Sequence, residues 1–96
     1  MIAEIHVSPS PSGTTANRYE FVDAAIAVVQ ASGLHHEVGA LGTTFEGEPD
    51  RVWSTLRAAH EAVLAAGANG VITSIRLGDR SVDPGTMDEL TSKFRK

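Results

Sequence analysis

From Ile2 to Ser8 apolar and polar positions alternate: Ala3, Ile5 and Val7 fall on one side, and Ile2, Glu4, His6 and Ser8 on the other. A period of two marks a strand with one buried face. Ser8 to Thr15 is rich in serine, proline, threonine and glycine, and reads as a loop. From about Asn17 to Ser32 the period lengthens, and Val22, Ala25, Ile26 and Val29 recur at helical spacing. Asn17 with Glu20 has the spacing of a capping box, and Gly33 is placed to end the helix. Leu34 to Glu48 then reads as two short strands joined through Gly39-Ala40-Leu41-Gly42, where glycine suits a reversal that needs positive φ. On the second of these strands, Thr43 to Gly47, Thr44 and Glu46 share one face while Thr43 and Phe45 share the other.

A second helix begins near Pro49, with proline suited to the first position and Asp50 to the helix dipole. Val52, Leu56, Ala59, His60, Val63 and Gly67 follow one another on a single face, and Ala66-Gly67-Ala68-Asn69-Gly70 turns the chain. Gly70 to Leu77 is the last strand, with Val71, Thr73, Ile75 and Leu77 on one side and Ile72, Ser74 and Arg76 on the other. Gly78 to Gly85 is a polar loop containing Pro84, and Thr86 to Phe94 a short amphipathic helix. The order βαββαβ with a helical tail predicts an α+β fold of ferredoxin-like type: a four-stranded antiparallel sheet with two helices on one face. In that arrangement the first and third strands are central. The second sheet face is bare unless a partner covers it.

Length and composition narrow the function. At 96 residues the chain is expected to be one domain, 1–96, with a real but modest core. No stretch approaches the ~20 apolar residues of a membrane-spanning helix, and the N-terminus lacks a signal-peptide pattern, so a cytoplasmic location is expected. The absence of cysteine removes disulfides, thiolate catalysis and the common structural zinc sites. A formal charge of −4 argues against nucleic acid as a partner.

The bare face would collect Glu4, His6, Ser8, Thr44, Glu46, Ser74 and Arg76. For most of these an ordinary solvated face is the simpler account. Their place on central strands, however, suits a ligand site or an oligomer interface, where Glu4 and Arg76 could pair. The four histidines do not make a metal site. His35 and His36 are neighbours on a strand and point to opposite faces, His60-Glu61 lacks a second motif histidine, and His6 stands alone. No serine lies in a nucleophile elbow, and no phosphate loop follows the glycines of residues 39–47. Trp53, in the first turns of the second helix, is a packing residue more readily than a stacking platform. The residues therefore point to no enzyme and to no cofactor or metal.

Several stretches together resemble the small thiamine-binding protein family: Ile2-Ala3-Glu4-Ile5-His6-Val7-Ser8-Pro9, Leu41-Gly42-Thr43-Thr44-Phe45-Glu46-Gly47-Glu48, Ala58-Ala59-His60-Glu61-Ala62-Val63, and Gly67 to Arg76. The Gly-Thr-x-x-Glu-Gly-Glu piece is the most specific. The resemblance implies a ferredoxin-like subunit, assembled as a dimer or tetramer, that binds thiamine or its hydroxymethylpyrimidine moiety without catalysis. An aminopyrimidine presents an NH2 donor beside ring-nitrogen acceptors, and the thiazolium carries a permanent positive charge. Ser8, Thr43, Thr44 and Glu46 are the ligand-binding residues that this chemistry selects. The alternative is a structural or regulatory ferredoxin-like oligomer with no vitamin ligand.

Overall fold

The computed structural model describes residues 1–82 and 85–95. Its elements are β1 (Ile2–Ser10), α1 (Glu20–Ala31), β2 (His35–Val38), β3 (Thr43–Glu46), α2 (Pro49–Ala66), β4 (Gly70–Gly78) and α3 (Met87–Thr91), followed by a 3-10 turn at Ser92–Phe94. The sheet order is β2-β3-β1-β4 with every neighbouring pair antiparallel, the ferredoxin-like arrangement expected from the sequence. Pro84 of the polar loop lies outside the described residues. No helix among the described residues is long and apolar enough to cross a membrane.

Strand alternation sets the core. Ala3, Ile5 and Val7 of β1 and Phe45 of β3 are buried, while Glu4, His6 and Ser8 stay exposed. The two long helices close over that apolar side with Phe21, Ala25 and Val29 of α1 and with Val52, Leu56, Ala59 and Val63 of α2. The centre of the α1 stripe is therefore Phe21-Ala25-Val29, a spacing of four. Val22 and Ile26, expected in the middle, lie half-buried at its flank. His60 is half-buried too, its Nδ1 2.6 Å from Thr73 Oγ1.

Local chemistry moves several boundaries. β1 runs on to Ser10, two residues into the expected loop, because its whole length pairs with β4, from Ile2 opposite Gly78 to Ser10 opposite Gly70. α1 starts at Glu20 and not at Asn17. Asn17 turns the chain beforehand, its Oδ1 accepting from the Tyr19 N–H (3.2 Å) and its carbonyl from the Glu20 N–H (3.2 Å), so the expected capping box does not form. Gly33 ends the helix with φ 77, as expected. In the β2–β3 connector the reason for glycine differs from the expected one. Neither Gly39 nor Gly42 is among the positive-φ residues; a Cβ at Gly42 would sit 3.2 Å from the Ile5 carbonyl oxygen, and one at Gly39 3.0 Å from that of Gly42. Close approach, not φ, favours glycine there.

The second sheet face is only half bare, which corrects the expectation of an open sheet. α3 crosses it over β2 and β3, anchored by buried Met87. Three polar contacts hold it: the Met87 N–H donates to Glu46 Oε1 (2.8 Å), His35 Nε2 lies 3.4 Å from Asp88, and Arg95 pairs with Glu37. The β1–β4 half, with Glu4, His6, Ser8, Ser74 and Arg76, remains exposed.

Candidate functional site

Unequal strand lengths create the cleft. β3 stops pairing with β1 at Thr43 opposite Ile5, whereas β1 continues for five more residues to Ser10. Alternate residues of a strand direct their backbone groups to alternate sides. The Gly47 N–H donates to the Met1 carbonyl (3.1 Å) on the β3 side, and the Asn69 N–H to the Ser10 carbonyl (2.9 Å) on the β4 side. Odd-numbered residues of β1 thus look toward β3 and even-numbered ones toward β4. Past Ile5 the odd side has no strand. The N–H and C=O of Val7 and the C=O of Pro9 face an opening where a strand would lie.

That opening is a cavity of about 230 Å3. Its walls are Val22, Ala25, Ile26 and Val29 of α1, Tyr19 just before the helix, the connector Gly39–Gly42, and Thr43 at the inner end of β3. A largely apolar cleft with a short row of backbone donors and acceptors along one rim suits a small heterocycle, packed on apolar side chains and read at its edge. The volume lies below the ~300–1,000 Å3 usual for drug-sized ligands, so it suits about one aromatic ring. No carboxylate, lysine or arginine lines it. The His6 side chain, on the opposite side of β1, is exposed, so His6 reaches the cleft through its backbone.

The four residues selected from the sequence fall in three places. Thr43, 3 % exposed, opens into the cleft. Thr44 and Glu46 lie on the other side of β3, beneath α3. A smaller cavity there, about 150 Å3, is bounded by Ile2, Glu37, Thr44, Met87, Leu90, Thr91 and Arg95. Ser8 is exposed on the open half-face. Thr44 stands opposite Glu4, and Ser8 lies four residues beyond Glu4, roughly 13 Å along the strand at ~3.3 Å per residue. Thr43 is separated from Thr44 and Glu46 by the thickness of the sheet. Glu4 and Arg76 stand opposite each other across β1 and β4, but the ion pairs among the described residues lie elsewhere.

Sequence reasoning passed over Val7, Tyr19, Val22 and Ile26 as site residues. Three of them read as ordinary apolar positions, and Tyr19 falls inside the helix expected from Asn17. The usable signal was length: an N-terminal strand longer than the middle strand beside it must leave an unpaired edge.

Comparison with known proteins gives one consistent picture. A family model described as thiamine-binding protein matches residues 3–95. A UPF0045 protein of Synechocystis is 39% identical over 89 residues, covering 93% of this chain and 72% of that protein. A UPF0045 protein of Methanothermobacter thermautotrophicus is 34% identical over 96 residues, covering 98% and 96%. Among solved structures, a domain of unknown function from Bacillus cereus superposes with TM-score 0.88 at 41% identity, over 99% of this chain and 89% of that one. A Thermotoga maritima protein, described provisionally as a thiamine biosynthesis/salvage protein, gives TM-score 0.76 at 22% identity, over 99% and 100%. At that identity the likeness is one of fold.

Proposed function

We propose that this chain, which belongs to the thiamine-binding protein family, binds thiamine or its hydroxymethylpyrimidine moiety reversibly in the cleft beside β1, as a cytoplasmic homo-oligomer and without catalysing a reaction. The observation that carries the reading is the unpaired backbone of Val7 set along an apolar slot. An aminopyrimidine offers an exocyclic NH2 next to a ring nitrogen, the same donor–acceptor pair that a neighbouring strand presents. Val7 supplies the complementary N–H and C=O, and the ring faces pack between α1 and the connector. Thr43 adds a hydroxyl at the inner end.

The charged half of thiamine belongs outside this slot. A thiazolium buried without a counter-charge would carry a large desolvation cost, and the lining provides no carboxylate. The smaller pocket beneath α3 is the weaker candidate because the charged groups that line it, Glu37 and Arg95, are engaged with each other.

Calorimetric titration with thiamine, hydroxymethylpyrimidine and thiamine phosphates tests this. Saturable binding of the pyrimidine compounds, one per subunit, is the expected result. No saturable heat with any of them would overturn the reading and favour the ligand-free structural or regulatory oligomer.

A further inference from the structure

Among the residues lining the cleft, Tyr19 and Leu41 are the large hydrophobics left exposed, at 58% and 86%. Tyr19 stands three residues before Val22, so it carries the α1 wall one turn outward toward solvent. A cation already lies against this ring: the Arg18 guanidinium is 5.9 Å from its centre. The segment ahead of α1 holds the pair in place. Ser12 Oγ donates to the Arg18 carbonyl (2.9 Å), and the Tyr19 N–H donates to Asn17 Oδ1 (3.2 Å). The Asp23 N–H donates to the Tyr19 carbonyl (2.8 Å). Gly13 packs so close beneath that a Cβ there would collide with the carbonyl groups of Asn17 and Arg18. Backbone fixed on both sides lowers the entropic cost of presenting the ring.

We infer that Tyr19 is the specificity residue for a second, cationic ring at the mouth of the cleft, and that Arg18 competes with that ring for it. The inference rests on the reading that a pyrimidine occupies the cleft itself. The cleft has room for about one ring, so the thiazolium of a bound thiamine lies at the mouth. No carboxylate lines the cavity to balance its charge, and the electron-rich face of a tyrosine is the group there that attracts a cation. Arg18 draws on the same attraction, and a thiazolium reaching this ring meets a like charge. Thiamine therefore gains over the bare pyrimidine by what Tyr19 contributes, less what Arg18 takes back.

Calorimetric titration of thiamine and of hydroxymethylpyrimidine into the wild-type chain, Tyr19→Leu, Tyr19→Phe and Arg18→Gln tests this. The readout is the ratio of the two affinities, in which any general effect on the cleft cancels; circular dichroism checks that each variant folds. Tyr19→Leu keeps the bulk and loses the aromatic face, so it should lower the thiamine-to-pyrimidine ratio about two- to fivefold. Tyr19→Phe should keep the wild-type ratio. Arg18→Gln should raise the ratio by a similar two- to fivefold factor. No saturable binding of hydroxymethylpyrimidine by the wild-type chain would overturn the binding reading and this inference with it. Normal pyrimidine binding with a ratio that Tyr19→Leu leaves unmoved, or that Arg18→Gln lowers or leaves unmoved, would overturn the inference alone.

Discussion

The two sides of β3 are made by four consecutive residues, Thr43-Thr44-Phe45-Glu46, yet they face different environments. On one side Phe45 is fully buried and Thr43 borders an apolar slot whose rim holds unpaired backbone groups. On the other, Thr44 and Glu46 lie beneath a short helix that has already engaged the carboxylate. The side richer in polar side chains looks more like a binding site in the sequence. On our proposal it is the poorer one. What makes a site is hydrogen-bonding capacity left unsatisfied near a space, and side-chain polarity alone does not measure that.

Four substitutions sharpen the contrast, taken from the largest effect to the smallest. Phe45→Ala should lower stability by about 3–5 kcal/mol, because Phe45 is among the largest fully buried side chains and its removal leaves a cavity between sheet and helices. Urea denaturation followed by circular dichroism measures this, and a loss under about 1 kcal/mol would mean the core does not centre on β3. Ile26→Trp should abolish pyrimidine binding while the fold holds, since Ile26 is half-buried and the added ring has the cleft to occupy. A loss of more than about 100-fold, or roughly 2.7 kcal/mol, is expected in calorimetry. Unimpaired binding would move the ligand away from this side of β3.

Glu46→Gln acts on the other side. It removes the charge behind the bond from the Met87 N–H, and charge-assisted bonds are worth about 1.5–3 kcal/mol against about 0.5–1.5 for neutral ones, so α3 docking should weaken by roughly 1 kcal/mol. Hydrogen exchange at the Met87 amide should speed up about fivefold while pyrimidine affinity stays unchanged. A fall in affinity without faster exchange would return Glu46 to the ligand site. Arg95→Ala removes an exposed pair with Glu37 and should cost between about 0 and 1 kcal/mol. Thermal melting that shifted by more than ten degrees would show that α3 holds the domain together to a degree its surface contacts do not suggest.

The strand and helix pattern was legible because it is local. The alternation at Ile2–Ser8, the glycines at 33 and 67, and proline at 49 each mark a boundary by their own chemistry. Two features were not legible. Ile75 and Leu77 share a face with half-buried Val71 and Thr73, yet they stay 42% and 40% exposed. The docking of α3 depends on contacts between residues far apart in the chain, Glu46 with Met87 and Glu37 with Arg95. No local pattern encodes where a short amphipathic tail comes to rest. The resemblance to thiamine-binding proteins pointed to a ligand class, but the position of the cleft followed from the mismatch between β1 and β3.

The central claim is that the backbone of Val7, exposed where β3 ends, takes the place of a strand partner for a pyrimidine ring. Amide resonances followed by 15N-resolved nuclear magnetic resonance during titration with hydroxymethylpyrimidine test it most directly. The Val7 and Gly42 amides should shift to saturation, with the Val7 N–H becoming protected from exchange, while Thr44 and Met87 remain in place. Saturable shifts at Thr44 and Met87 with Val7 unmoved would contradict the account and put the ligand under α3.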